Sequence, residues 1–323
     1  VLDEISYDVS TWGQLPQVAL DRLASIGSLG ASNHNSAKHF WEGSEGGLAQ
    51  ALAAAMGGSA AIKAAAVGPV TGAPRGSVAG VALESVTDMG SALETLTGRG
   101  QIIAEEDRAV MGRVIAETAV RTPDVAQRNS ENLASLLDGY DSLVKSMTTP
   151  AEEVDQAEIA ASYGALTDHG LAQKLATSEA LMRSGVNVVC VGEGEGTYWD
   201  THDDNDGSRT RNYFELMVPG LSHFCRRMLG RTDMSVSIVF VSEHSRIPLI
   251  NNHGPHLSTI VISDNVVGGR STGVTDSGGL VIDADQKSVQ SWKAALGELV
   301  GLTGTENPFG AAPMHRRIMR HTV

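Results

Sequence analysis

The sequence predicts an α/β fold in which a mostly parallel central sheet is flanked by helices. Segments with helical spacing of apolar residues alternate with short apolar, β-branched segments, and the clearest of these is residues 235–241. Such continuous apolar runs are typical of strands buried on both faces. Aromatic residues make up only 4% of the chain, while glycine occurs 36 times. This composition favours close packing of small residues in α/β layers over an aromatic-rich sandwich.

The first helices and strands are predicted from the positions of proline and glycine and from local composition. Gln14-Leu15-Pro16 suits a helix entry, and the apolar residues after it lead to a short strand that ends in glycines near Gly30. Residues 46–57 are rich in Ala and Leu and are followed by glycine, as a helix is. Residues 64–68 are small and apolar and form the next predicted strand.

The middle of the chain is predicted to be mostly helical. Apolar residues recur at helical spacing from about 90 to 183, and the last helix of this region covers 170–183. We expect a single domain over residues 1–323 with a helical insertion at about 100–160. This insertion is suited to act either as a lid or as a subunit contact.

The second half alternates strands and helices. Residues 186–191 form an apolar strand, a long polar loop follows, and a helix is predicted over 213–229. The strand at 235–241 is succeeded by another candidate strand at 258–262, and a helix over 286–300 precedes the end of the chain. Ligands in such sheets collect in the loops after the carboxyl ends of strands.

The charge of the chain argues against nucleic acid as a partner. The formal net charge is −14, whereas binding to a phosphate backbone needs clustered Lys and Arg. Two short basic groups, Arg226-Arg227 with Arg231 and residues 315–321, are interpreted as a solvated helix face and a solvated chain end. No stretch reaches about 18 uninterrupted apolar residues, so no membrane-spanning segment is predicted.

Two cysteines are present. Cys190 ends an apolar run and is predicted to be a buried strand residue, while Cys225 lies in a helical segment. Sequence alone leaves open whether the two form a disulfide.

The first candidate site is the loop containing Trp199-Asp200-Thr201-His202. Asp200 and His202 are two residues apart after a strand and can face one cation. A carboxylate with an imidazole suits Zn²⁺, Mn²⁺ or Fe, whereas a shell of oxygens alone suits Ca²⁺ or Mg²⁺. The alternative is an acidic, solvated loop. The acidic run 203–206 does not match an EF-hand, because position one would be His202 and position twelve Tyr213.

The second candidate site follows the strand at 235–241. Glu243, His244, Arg246, His253 and His256 fall within 14 residues. His253 and His256 can share a metal if the Gly-Pro turn between them directs both rings inward, and Arg246 is suited to bind an anionic group through two hydrogen bonds. The alternative is a buried Glu–Arg pair beside loop histidines that serve no ligand.

Other residues carry weaker signals. Asp168 precedes a helix and is interpreted as its N-terminal cap, and His34 and His39 are secondary candidates for closing the site. His223 is expected to be a surface or core residue of its helix, and His315 is assigned to the basic chain end. No Gly-x-Ser-x-Gly elbow, P-loop or dinucleotide-binding motif is present.

These motifs resemble domain-of-unknown-function family 1501, whose members are predicted to share the alkaline phosphatase and sulfatase fold. The resemblance spans about residues 20–305 and includes a full match to the family's Trp-Asp-Thr-His loop. The remaining matches are partial or looser: Ser242-Glu243-His244-Ser245-Arg246, Asn252-His253-Gly254, Gly268-Gly269, and residues 32–37 followed by Trp41-Glu42-Gly43.

The resemblance implies an alkaline-phosphatase-like fold, bacterial origin, export through the twin-arginine route and a periplasmic, cell-surface or extracellular location. It also implies a metal-dependent site for an anionic small-molecule ester of phosphoric or sulfuric acid. Asp200, His202, His253 and His256 would then bind a divalent metal (Zn, Mn, Ca or Mg), with Glu243 and Arg246 as the catalytic residues that orient groups or balance charge.

Departures from the family pattern support an alternative. The sequence from Val1 onward does not contain the family's opening strand and Gly-Gly-x-Asp loop, and Asn252 replaces a family aspartate. Both changes remove carboxylates that a dinuclear site would use. The alternative is a catalytically inactive relative that acts as a structural or binding subunit, in homo- or hetero-oligomeric form, of a cell-envelope or extracellular assembly.

Overall fold

The computed structural model describes most of the chain in separated ranges. These are residues 4–5, 7–27, 47–58, 60, 62–68, 76–87, 89–90, 96, 110, 113, 154–166, 170–192, 204, 206–241, 245–247, 252–254, 258–273, 289–311 and 313–320. The α/β class is confirmed, because helices flank two mixed sheets.

Six α-helices are described in these ranges. Their bounds are α1 Gln17–Leu20, α2 Leu48–Met56, α3 Gln156–Gly164, α4 Gly170–Arg183, α5 Ser208–Met228 and α6 Val289–Leu299. Three short 3-10 turns accompany them, at Trp12–Gln14, Gly304–Glu306 and Pro313–Ile318.

Ten strands are described. Their bounds are β1 Leu23–Gly27, β2 Ala64–Val67, β3 Ser77–Val78, β4 Val81–Val86, β5 Val188–Val191, β6 Ser237–Phe240, β7 Ser245–Ile247, β8 Asn252–Gly254, β9 Ser258–Ser263 and β10 Ser271–Thr272. The chain divides into two compact units. Unit 1 comprises Val1–Ser44, Ala160–Ala176 and Glu193–Val323, and unit 2 comprises Glu45–Ile159 and Thr177–Gly192.

Unit 1 contains a mixed sheet with the strand order β10-β1-β9-β6. β1 runs parallel to β10 and antiparallel to β9, so that Ser25 faces Ser271 on one side and Ile260 on the other. All five residues of β1 are buried. Since every backbone amide and carbonyl removed from water needs a partner, β1 depends on both of its neighbours.

Unit 2 contains a second mixed sheet with the order β3-β4-β2-β5. β2 lies between β4 and β5 and is parallel to both, while β3 pairs antiparallel with β4. Helix α2 packs on this sheet through Ala49 and Ala53, which form a buried cluster with Ala64 and Val81. The small side chains allow the helix to approach the strands closely.

The sheets differ from the single, mostly parallel sheet that the sequence predicts. β9 is antiparallel to both of its neighbours, β1 and β6. Antiparallel neighbours need no crossover helix, and the described part of the connection from β6 to β9 consists of β7 and β8, which form an antiparallel hairpin.

The strand predicted at 235–241 also differs in its burial. β6 is half-buried along its length and is the terminal strand in the sheet order described. Its apolar, β-branched sequence therefore does not reflect burial on both faces, and that prediction was wrong. Cys190 likewise lies in a strand, β5, but is half-buried.

The predicted helical insertion at about 100–160 lies largely outside the described residues. Within it, Val110 and Arg113 are helical and α3 covers its end. The prediction of one domain over residues 1–323 stays a prediction.

Close packing at Gly268 generates a prediction about stability. A Cβ atom at this position would overlap the backbone carbonyl of Asp21, next to the hydrogen bond that Gly269 donates to Leu23 at 2.8 Å. We expect Gly268→Ala to lower the free energy of unfolding by about 1–3 kcal/mol, as overpacking does, measured by urea denaturation.

The matched control is Gly164→Ala. Gly164 is the last residue of α3, and a Cβ atom there would meet nothing within 4 Å. This change should be neutral or stabilising by up to about 1 kcal/mol. Equal effects of the two substitutions would contradict the assignment of strain to Gly268.

Candidate functional site

The structure locates two of the six candidate site residues, and these by backbone only. Arg246 lies in β7 and His253 in β8. The other four lie outside the described part of the chain: Asp200, His202, Glu243 and His256.

Arg246 and His253 occupy one position of the β7–β8 ladder. The antiparallel register pairs the Cα of Arg246 with that of His253, between the pairs Ser245–Gly254 and Ile247–Asn252. Residues directly opposite each other in an antiparallel pair share one face of the ladder. The hairpin therefore places Arg246 and His253, which are seven positions apart in sequence, opposite each other in the ladder.

The loop that contains Asp200 and His202 ends at a tightly held helix start. Asp204, two residues after His202, accepts hydrogen bonds from the backbone N–H groups of Arg209 and Thr210, at 3.1 and 3.0 Å. The hydroxyls of Ser208 and Thr210 also donate to it, at 3.4 and 3.2 Å. The bonds from the Arg209 and Thr210 backbone lower the pKa of Asp204 below its usual value.

This cap changes the interpretation of the acidic run 203–206. Asp204 serves the amino end of α5, and Asp206 accepts a hydrogen bond from the backbone of Ser208 at 3.1 Å. Helix α5 consequently begins at Ser208, five residues earlier than the predicted start. The sequence signal was available, because an aspartate that precedes a helical segment is a common capping residue.

An aromatic cluster connects the elements that bear the two motif loops. The ring of Trp12 lies 4.9 Å from Phe214 and 4.9 Å from Phe240, centroid to centroid. Phe214 belongs to the second turn of α5, and Phe240 ends β6, three residues before Glu243. The loop ahead of α5 and the loop after β6 are therefore attached to neighbouring parts of unit 1.

His223 is a packing residue of α5. Its ring is half-buried and lies edge-on to Tyr163, with centroids 4.6 Å apart. Its Nε2 atom lies 3.3 Å from the Ser162 hydroxyl. These contacts agree with the expectation of a residue in the surface or core of the helix.

His315 was predicted to belong to a solvated basic chain end, and this prediction was wrong. The side chain is only 1% exposed, and its Nδ1 atom lies 2.8 Å from the Thr272 hydroxyl. Burial lowers the pKa of His315 to about 4. The imidazole is therefore neutral at physiological pH and is part of the core of unit 1.

The arginines of this chain end are likewise attached to unit 1. Arg317 forms an ion pair with Glu4, and Glu4 also pairs with Arg270 at 2.7 Å. Arg320 donates through Nε to the carbonyl of Val266 at 2.6 Å. By contrast, Arg231 pairs with exposed Asp233 at 2.6 Å, as expected for a solvated surface.

Both cysteines are free thiols, which settles the question of a disulfide between them. Burial raises the pKa of Cys190 to about 11 and that of Cys225 to about 12. The thiolate is the reactive form of cysteine, so neither residue is suited to act as a nucleophile near neutral pH.

Comparison with known proteins returned no match to a family model, a curated protein or a solved structure. Among the described residues, no group of three or more His, Cys, Asp and Glu is arranged to hold a metal. None of the helices in the described ranges is long and apolar enough to cross a membrane.

The capping role of Asp204 predicts a pH-dependent loss of stability. Because its pKa is lowered on folding, the charged carboxylate stabilises the protein above the ordinary pKa of 3.8, and this contribution is lost as the pH falls through the lower folded-state value. Asp204→Ala should lower the Tm at pH 7. The difference in Tm between this variant and the original protein should become smaller in acid.

Asp206→Ala is the control, since Asp206 makes only one of these backbone bonds. Its effect on Tm at pH 7 should be the smaller. An Asp204→Ala variant with an unchanged Tm at pH 7 would show that the cap contributes nothing to stability.

Burial of neutral His315 predicts a separate acid sensitivity. The unfolded chain takes up a proton near the ordinary pKa of 6.5, whereas the folded protein does so only near 4. The free energy of unfolding should therefore fall by about 3 kcal/mol as the pH drops through this window. Urea denaturation at pH 7, 5.5 and 4.5 measures the decline.

His315→Gln provides the comparison, because an amide can still hydrogen-bond to Thr272 but does not titrate. The variant should lose less stability than the original protein between pH 7 and 4.5. An identical pH dependence in both proteins would rule out His315 as the source.

Proposed function

We propose that unit 1 binds one divalent metal through Asp200, His202 and His253, with His256 as a further ligand, at a site that accepts phosphate or sulfate esters. The observation that carries the proposal is the Trp12–Phe214–Phe240 cluster, which links the second turn of α5 to the end of β6. One candidate motif precedes α5 in sequence and the other follows β6. Loops attached to neighbouring elements can direct their side chains to one point, as metal coordination requires.

The residue types fit this assignment. Imidazole and carboxylate ligands suit borderline metals such as Zn²⁺ and Mn²⁺. When bound, such an ion supplies Lewis-acid stabilisation of an anionic ester. Arg246, which shares a ladder position with His253, is suited to bind the ester's oxygens in bidentate fashion. Glu243 is assigned to orient a ligand or balance charge.

The resemblance to family 1501 supports the same metal site, and this resemblance rests on the short motifs alone. We therefore extend the proposal to an alkaline-phosphatase-like arrangement of the elements and to an exported protein of the periplasm, cell surface or extracellular space. The anionic partner is a small ester or a component of the cell envelope.

A catalytically inactive relative is the second candidate, and Asn252 favours it. Asn252 stands in β8, next to His253, where the family has an aspartate. An amide in this position removes a negative charge that a second metal would need. Such a protein would bind metal as a structural or binding subunit of an envelope or extracellular assembly.

The test is metal analysis of the purified protein by mass spectrometry. We expect about one equivalent of a divalent metal, and Asp200→Ala and His253→Ala should each lower metal affinity by at least tenfold, as loss of a ligand does. His223→Gln is the control, because His223 is engaged with Ser162 and Tyr163. Equal metal content in all variants would refute the site.

Turnover of aryl phosphates and aryl sulfates then separates the two candidates. Hydrolysis that depends on metal and is weakened by Arg246→Ala would establish the enzyme. Stoichiometric metal without turnover of either ester class would favour the inactive relative.

A further inference from the structure

A cavity of about 290 Å³ lies beside the middle of helix α5. Residues of α5 between Glu215 and Gly220 form one part of its wall, and Leu166 and Ala172 contribute another part from the segment around the start of α4. All of these residues belong to unit 1. The cavity is therefore formed within one compact unit by the approach of α4 to α5.

The cavity extends from the surface into the core of unit 1. Leu216 lines it and is 58% exposed, although its side chain is large and apolar, whereas Ala172 is only 2% exposed. A Cβ atom on Gly220 would lie 3.2 Å from the Cα of Ala172, so the two helix backbones are in close contact at this point. An open apolar cavity with an exposed leucine is typical of a small-molecule site.

Pro219 leaves one carbonyl of this wall without its usual donor. It lies inside α5, and proline has no N–H with which to bond the carbonyl four residues earlier, which is that of Glu215. Glu215 and Pro219 both line the cavity. Because a helical carbonyl points along the helix toward the residue four positions later, the Glu215 carbonyl lies between two lining residues and can accept a hydrogen bond from a ligand.

The side chain of Glu215 adds negative charge to the same place. Among the described residues that line the cavity, Glu215 alone carries a charge. Its side chain is exposed, and its carboxylate forms no hydrogen bond or ion pair with another described residue. The cavity thus combines two kinds of acceptor and one negative charge with apolar walls. A matching ligand needs several donors, a positive charge and an apolar body, and an ammonium group has three donors and no acceptor.

We propose that this cavity binds a small primary amine with an apolar body. The ammonium group donates to the backbone carbonyl and the carboxylate of Glu215, and the body packs against Leu166, Leu216 and Met217. The volume is sufficient for one aromatic ring with a short side chain, since a cavity of about 150 Å³ already holds benzene. The site uses none of the proposed metal ligands and does not rest on the metal site.

The test is calorimetric titration of the full-length protein with 2-phenylethylamine, after treatment with EDTA so that the amine cannot bind through a metal. Two analogues with similar bodies test the charge. 2-Phenylethanol should bind about tenfold more weakly, because a neutral hydroxyl replaces the charge-assisted hydrogen bonds of the ammonium group. 3-Phenylpropanoate should show no binding, because its carboxylate would meet that of Glu215.

Three substitutions test the separate parts of the site. Glu215→Gln keeps the shape but removes the charge, and should weaken amine binding about threefold, as loss of an exposed ion pair does. Pro219→Ala supplies the missing N–H and favours the helix, so the variant should fold and bind the amine about fivefold more weakly. Ala165→Phe places a ring at an exposed lining position and should abolish binding.

Glu306→Gln is the matched control, because Glu306 is an exposed glutamate that does not line the cavity. Its affinity for 2-phenylethylamine should equal that of the original protein. Two results would overturn the proposal. One is the absence of saturable amine binding, or an equal affinity in the original protein, Glu215→Gln and Pro219→Ala. The other is an equal affinity for the amine and for 2-phenylethanol, since the cavity would then recognise only the apolar body.

Discussion

Unit 1 depends on the pairing of strand β1 with two segments from the far end of the chain. β1 is buried at every position, so its backbone must be satisfied by β9 on one side and β10 on the other. Additional contacts reinforce the same junction. Arg22 pairs with Asp264 at 2.5 Å, and Glu4 accepts a hydrogen bond from the backbone of Ser271 at 3.1 Å.

Local sequence predicted the positions of helices and strands better than it predicted which strands pair and in which direction. The helix predicted over 170–183 is confirmed by α4, and the strand predicted over 258–262 corresponds to β9. These segments carry their own periodicity and turn signals. The direction of β9 and the half-burial of β6 depend on segments distant in sequence, and periodicity contains no information about them.

The same distinction between local sequence signals and the effects of distant segments applies to the candidate site. Motif spacing singled out Arg246 and His253, and the hairpin register pairs them. It did not reveal the surroundings of His315, because the low pKa of this imidazole comes from burial. A histidine among arginines looks solvated in sequence, and only the tertiary fold shows that it is not.

The long-range pairing of β1 also orders events during synthesis. The four described strands of the unit 2 sheet have all left the ribosome once β5 has, since they lie between Ala64 and Val191. β1 emerges earlier than any of them but must wait for β9 and β10, because pairing between segments far apart in sequence is slow and comes late. Among the described strands, β1 is therefore one of the last to be paired, and until then the nascent chain exposes an apolar segment of the kind that chaperones bind.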